Sequence, residues 1–227
     1  MKIFKKSNFI AISIVLAVIL VFSFTISTIQ TVFANSNAKF TIVLDAGHGG
    51  IDSGVIGINT GKKESDINLE IVNLLQKKLT DSGFRVVLTR KTSGGLYGMP
   101  TKGFKLRDMK ERRRIIEESN ANIVVSIHQN YFLQDRSRRG GQVFFQANNQ
   151  DSKKLADSMQ TQFNHLGTRD FEALSGDYYI LNCTSKVAVI AECGFLSNAE
   201  EESLLITEQY QTKIVDAIIF GILQYLS

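Results

Sequence analysis

Along the chain, short apolar runs alternate with longer stretches in which apolar residues recur every three or four positions. Lys39 to Leu44 is rich in β-branched and aromatic residues and predicts a strand. Ile67, Leu69, Ile71, Leu74, Leu75 and Leu79 then follow helical spacing, and Gly83 closes that helix. Phe84 to Thr89 predicts a second strand, and residues 90–105, rich in Gly, Thr and Lys, predict a loop. A charged helix runs on to about Asn120, and Ile123 to Ile127 is an apolar strand ending at His128. Gln142 to Gln146 predicts another strand, and Ser152 to Leu166 an amphipathic helix with Leu155, Met159, Phe163 and Leu166 on one side. Tyr178 to Leu181 and Val187 to Ala191 predict two more strands, and a helix from about Glu208 to Tyr225 closes the chain. The runs "TIVLD", "IVVSI" and "VAVIA" are apolar on both sides, as strands covered on both faces must be. The expected fold is α/β: a single layered domain with a mainly parallel twisted sheet of about six strands and helices on both faces.

The first 34 residues depart from this pattern. Lys2, Lys5 and Lys6 precede a nearly unbroken apolar run from Phe9 to Phe24, and a polar stretch then ends in Val32-Phe33-Ala34. That order reads as a secretory signal cut after Ala34, or as an uncleaved N-terminal anchor. The run is roughly 16 residues against about 20 for a membrane span, which favours the signal. Residues 35–227 then form the exported domain, and contact with a membrane is confined to the N-terminal segment. The formal charge of +4 falls to 4 − 3 = +1 once residues 1–34, with three Lys and no acid, are set aside. The basic balance is therefore no argument for a nucleic-acid partner. Two cysteines, Cys183 and Cys193, could pair in an exported protein, but Cys193 directly follows an apolar strand and reads as a small buried hydrophobe.

In open α/β sheets chemistry collects just past the carboxyl ends of strands, and four segments place polar residues there or beside it. The first strand ends at Asp45 and is followed by His48 within "DAGHGG". The third ends "SIHQN", with His128 and Asn130. The strand "VAVIA" runs directly into Glu192, and Glu64 stands at the start of the first helix. Singly, each has a plain structural reading: a histidine after a strand, an acid complementing a helix N-terminus, and His165 at a helix end. Glu192 is harder to dismiss, because an acid at the end of an apolar strand is costly to bury without a partner or a metal. Together they make a donor set suited to Zn²⁺, which takes imidazole and carboxylate ligands and leaves one position open in catalytic sites. A further carboxylate outside that shell would handle protons. Two histidines and a carboxylate also suit non-haem iron, but that chemistry leaves Glu192 without a task. A phosphate-binding loop fares worse, because neither the Gly-Lys-Ser/Thr ending nor the dinucleotide fingerprint is present. The glycines around His48 instead let the backbone turn tightly.

"LDAGHGGIDSGVIG", "GKKESDINLEI", "VVSIHQN" and "IAECGFLSNAEEESLL" occur in this order over residues 40–226. The chain thereby resembles the zinc-dependent N-acetylmuramoyl-L-alanine amidases. The resemblance implies that His48, Glu64 and His128 are the zinc ligands and Glu192 the catalytic glutamate, with Asn130 and Asn198 in supporting roles. It implies cleavage of the amide between N-acetylmuramic acid and L-alanine, freeing stem peptides from glycan strands. Ala46 stands where the family usually has proline, which implies a looser turn before His48. A leader plus one bare catalytic domain looks most like the spore-cortex amidases, which prepare muramic acid for conversion to its δ-lactam. A vegetative wall amidase, or a non-catalytic wall-binding module on the same fold, are the alternatives. The resemblance also leaves room for an activating protein partner. "KERRR" at 110–114 reads as an exposed face for wall polymer or such a partner, or simply as a solvated helix surface. Long glycan substrates imply an open, shallow cleft.

Overall fold

The computed structural model describes residues 40–167 and 169–227; the expected N-terminal signal or anchor and the expected cleavage after Ala34 lie outside the described residues. The strands are β1 (Thr41–Ala46), β2 (Arg85–Leu88), β3 (Ile123–Asn130), β4 (Gln142–Gln146), β5 (Leu174–Gly176) and β6 (Val187–Phe195). The helices are α1 (Glu64–Asp81), α2 (Phe104–Glu118), α3 (Gln150–Leu166), α4 (Tyr179–Asn182), α5 (Ala199–Leu205) and α6 (Glu208–Leu226). The six strands form one sheet in the order β2-β1-β3-β6-β4-β5. β2, β1, β3 and β6 are mutually parallel, whereas β4 runs antiparallel to β6 and carries β5 alongside it. The α/β expectation holds.

Alternation along the strands sorts the sheet into two faces. Ile42, Leu44, Ala46, Val125 and Ile127 join residues of α1, α3 and α6 in the larger core. Val43, Val124, Ala188 and Ile190 meet Ile116 of α2 and Ile180 and Leu181 of α4 in a smaller core. The second face is thinly covered, and its strand positions turn polar toward the carboxyl ends: Asp45, Ser126, His128 and Glu192. That is where the cleft opens.

Tyr178–Leu181, expected as a strand, is instead the turn into the one-turn helix α4, and the strand lies earlier, at Leu174–Gly176. Ile180 and Leu181 seal the smaller core as adjacent residues of a helical turn, whereas alternate strand residues would leave one of them on the opposite face. Cys183 and Cys193 are both free, and Cys193 is buried, as a small hydrophobe would be. His165 is exposed in the last turn of α3. Among the described residues no helix is long and apolar enough to cross a membrane.

Candidate active site and metal centre

His48 follows β1 in a loop whose backbone it shapes itself: its φ is +61°, in the left-handed region where a non-glycine residue is strained. Glu64 opens α1 and is buried. His128 lies near the end of β3, in register with Glu192 of β6. Four segments thus bring the four predicted residues to one place. One nitrogen from each histidine and one carboxylate oxygen of Glu64 lie within 4.8 Å of one another. Glu64 Oε1 stands 2.9 Å from His128 Nδ1 and 3.3 Å from His48 Nε2.

The surroundings hold these donors in place. Glu64 Oε1 accepts from the Gln129 backbone N–H at 3.1 Å, and Oε2 accepts from the Val55 N–H at 2.9 Å. Asn68, one turn along α1, donates to both Glu64 Oε1 and the Gly47 carbonyl at 3.3 Å. Burial opposes ionisation of Glu64, but hydrogen bonds and charge from His128 and His48 hold its carboxyl well below the ordinary value. Asp52 Oδ2 lies 3.1 Å from His48 Nδ1 and so fixes which ring nitrogen faces Glu64. Its own carboxyl is partly buried, yet His48 and Lys105 keep its pKa low. Two glycines are required by close approach. A Cβ on Gly47 would lie 2.3 Å from the His128 ring, and one on Gly54, at φ +64°, would lie 2.3 Å from Glu64 Oε2.

Beneath this loop lies an array that the sequence reading missed. Arg112 of α2 is fully buried. Its guanidinium pairs with Asp45 and with Asp108 (2.6 Å), and donates to the carbonyls of Ala46 (2.8 Å) and His48 (2.6 Å). Arg90, also buried, donates to the carbonyls of Ala46 (2.8 Å) and Gly47 (3.0 Å). Every backbone carbonyl from 46 to 48 is therefore held by an arginine. The turn before His48 is braced by hydrogen bonds in place of a proline ring, contrary to the looser turn expected from Ala46. The expectation for "KERRR" is corrected at the same point. Only Lys110, Arg113 and Arg114 are exposed, and Arg112 points inward because it lies four residues from both Asp108 and Ile116 on the buried stripe of α2. The spacing Asp108–Arg112–Ile116 was the available signal.

Glu192 differs from Glu64. Its Oε2 is buried and has no hydrogen-bond partner among the described residues. Burial raises its pKa, to about 7, with His128 and His48 opposing and Glu64 adding to the rise. A carboxyl titrating near neutrality, beside a cluster of imidazole and carboxylate donors, suits a group that takes and returns a proton. The donor set of two ring nitrogens and one carboxylate oxygen fits a catalytic zinc shell, in which three protein ligands leave one position open. The cleft above is walled by Tyr97, Phe104, Tyr178, Tyr179 and Lys105. Asn198 serves as the N-cap of α5, accepting from Glu200 and Glu201, and Asn130 Oδ1 accepts from Tyr131 N–H; both are structural supports.

Comparison with known proteins agrees with this geometry. Residues 42–224 match the family described as N-acetylmuramoyl-L-alanine amidase. The chain is 34% identical over 193 residues to the germination-specific N-acetylmuramoyl-L-alanine amidase of Bacillus subtilis, covering 82% of this chain and 79% of that one. It is 30% identical to the amidase LytC of the same organism, covering 82% of this chain but 35% of that one. Among solved structures, the CwlD amidase of Clostridioides difficile, in complex with the GerS lipoprotein, superposes with a TM-score of 0.79 at 40% identity. That match covers 83% of this chain and 98% of that one. The catalytic domain of the amidase CwlV from Bacillus (Paenibacillus) polymyxa superposes with a TM-score of 0.72 at 31% identity, covering 82% and 98%.

Proposed function

This chain belongs to the N-acetylmuramoyl-L-alanine amidase family, and on that premise we propose that it is an exported, zinc-dependent peptidoglycan amidase acting on spore cortex. The observation that carries the site is the convergence of His48, Glu64 and His128 within 4.8 Å, next to the unpartnered buried oxygen of Glu192. His48, Glu64 and His128 would hold the zinc. When bound, zinc would polarise the lactyl carbonyl and make a water more acidic. Glu192 Oε2 accepts the proton of the attacking water and then delivers it to the nitrogen of L-alanine as the amide breaks. Its pKa near 7 matches both halves of that exchange. Asp52 keeps His48 Nδ1 engaged, so that Nε2 stays directed at the cluster.

The cortex assignment is favoured over a vegetative role by the likeness to a germination-specific amidase along most of both chains. A lipoprotein partner is proposed on the same footing, since the CwlD amidase was solved bound to one. Residues 1–34 are proposed as the leader and 35–227 as the catalytic domain, working outside the cytoplasmic membrane. The test is digestion of purified peptidoglycan by the zinc-loaded domain, followed by mass spectrometry of the soluble fragments. The reading requires stem peptides with a free L-alanine amino terminus, absent with Glu192→Ala. Binding without cleavage, unchanged by that substitution, identifies a wall-binding module instead. For the cortex role, gene deletion is expected to leave cortex lacking muramic-δ-lactam; unchanged lactam content assigns the enzyme to vegetative wall.

A further inference from the structure

A second depression lies on the same side of the sheet, beyond the carboxyl end of β3, and its lining includes Asn130, Arg138, Gln142, Phe144, Arg169 and Phe171. It adjoins the reacting centre. Gln142 is the cross-strand partner of Glu192, so their side chains leave the sheet on one face about 5 Å apart. Asn130 stands two residues after His128. Phe144 packs edge-on against Tyr178, with ring centroids 5.4 Å apart, and Tyr178 lines the aromatic cleft on the other side. Glu192 is therefore flanked by an aromatic cleft on one side and this depression on the other.

Its lining is mixed in charge, with two arginines beside the carboxylates of Asp170 and Glu172, and the arginines are the groups that could hold an anion. Arg138 lies 4.5 Å from the centroid of the Phe132 ring, and Arg169 lies 5.5 Å from that of Phe171. Stacking of this kind orients a planar guanidinium and leaves its N–H edge open for a carboxylate. Among the described residues neither Arg138 nor Arg169 forms an ion pair, whereas the neighbouring Arg139 pairs with Glu200 at 3.1 Å. Asp170 and Glu172 also border the depression, and both are exposed. The two arginines act on common ground: after its hydrogen bonds from Ser137, the charges of both help hold Asp135 at a low pKa. By contrast, Lys105, the exposed cation of the aromatic cleft, already faces Asp52 at 3.4 Å.

The substrate is chemically lopsided in the same way. Its lactyl carboxyl is consumed in the scissile amide, so the muramyl side offers sugar rings and acetamido groups without a carboxylate. The free carboxylates all lie on the peptide side, beyond L-alanine. We propose that Arg138 and Arg169 form the subsite that holds a stem-peptide carboxylate. The peptide then runs over β4, and the sugar lies against Tyr97 and Tyr178. This orientation rests on the amidase reading, but the subsite can be tested without turnover.

Isothermal titration of the zinc-loaded domain with the free tripeptide L-alanyl-γ-D-glutamyl-diamino acid, and with the same peptide amidated at its carboxyls, measures the contact directly. The free acid is expected to bind wild type about tenfold more tightly than the amidated peptide. Arg138→Gln together with Arg169→Gln is expected to abolish that difference; Arg169 is exposed and Arg138 half-exposed, and urea unfolding of the double variant checks that its fold is kept. In cleavage of the corresponding muramyl peptides, the double variant raises KM for the free acid and narrows the KM difference between the free-acid and amidated substrates. Equal affinity for the two peptides, no binding of either, or discrimination that survives the double substitution overturns the subsite. A wild-type protein that discriminates between the peptides yet cleaves neither muramyl substrate counts against the amidase reading and leaves the carboxylate contact standing.

Discussion

Replacing Arg112 with Met removes a buried cation while keeping most of the side-chain length. Asp45, itself buried, then keeps as hydrogen-bond partners only the hydroxyls of Thr89 and Ser126, each at 2.6 Å, with the charges of Arg90 and His128 farther off. Asp108 also loses a partner, and the Ala46 and His48 carbonyls each lose a donor. Breaking a buried ion pair from one side costs about 3–5 kcal/mol, a large share of the roughly 5–15 kcal/mol that stabilises a domain. The effect has a pH signature. Burial opposes ionisation of Asp45, yet Arg112, then Ser126 and Thr89, hold its pKa at about 2 against an ordinary 3.8. In wild type its stabilising contribution is complete above the ordinary value and lost as pH falls through about 2. Without Arg112 burial dominates and the Asp45 pKa rises, so the deficit is greatest at neutral pH and shrinks toward pH 4. Urea unfolding of the chelated protein measures it, and Asp45→Asn added to Arg112→Met is expected to recover more than half of the loss. A deficit below about 1 kcal/mol, or simple additivity in the double variant, would refute the clamp. Zinc affinity should fall with it by at least about tenfold, as when outer supports of a metal ligand are lost.

Three further outcomes follow from the same geometry. Asp52→Ala frees the His48 ring and is expected to weaken zinc binding by about 10–100-fold in a competition titration, with little change in unfolding of the chelated protein. Gly47→Ala drives a methyl group into the His128 ring, and is expected to abolish zinc binding; stoichiometric zinc in that variant would contradict the packing described. Glu192→Gln should stabilise the metal-free protein at alkaline pH. The raised pKa means that the Glu192 contribution is fully present below about 4.5 and lost as pH rises through about 7. The gain is of order 1–3 kcal/mol at pH 8.5 and absent at pH 4, read from urea midpoints.

Of the candidate site residues only Glu192, an acid ending an apolar strand, was costly enough to stand out singly; His48, Glu64 and His128 were legible because separate segments offer a zinc-type donor set together. What holds them was not. Arg90 looks like a cation opening a polar loop and Arg112 like one more cation of a charged helix; the helical spacing of Asp108, Arg112 and Ile116 hinted at the second, and the sheet order, which places β1 between β2 and β3, gives both their buried partners. Asp52 was hidden among glycines because its relation to His48 depends on a turn whose left-handed backbone no periodicity reveals. The element at 178–181 failed for a related reason: four apolar or aromatic residues are too few to separate a strand from a helical turn. Fold class, in contrast, follows from periodicity summed over long segments, and α1, α3 and α6 were all placed by it.

The most direct test of the central claim is a zinc titration of the metal-free domain on a defined N-acetylmuramyl-L-alanyl-D-glutamate, with newly formed L-alanine amino groups counted at each addition. The account predicts that hydrolysis rises linearly to one zinc per chain and then stops rising. Glu192→Gln should bind the same single zinc yet release no L-alanine amino groups. Hydrolysis that persists in the chelated protein, or that survives Glu192→Gln, would contradict it.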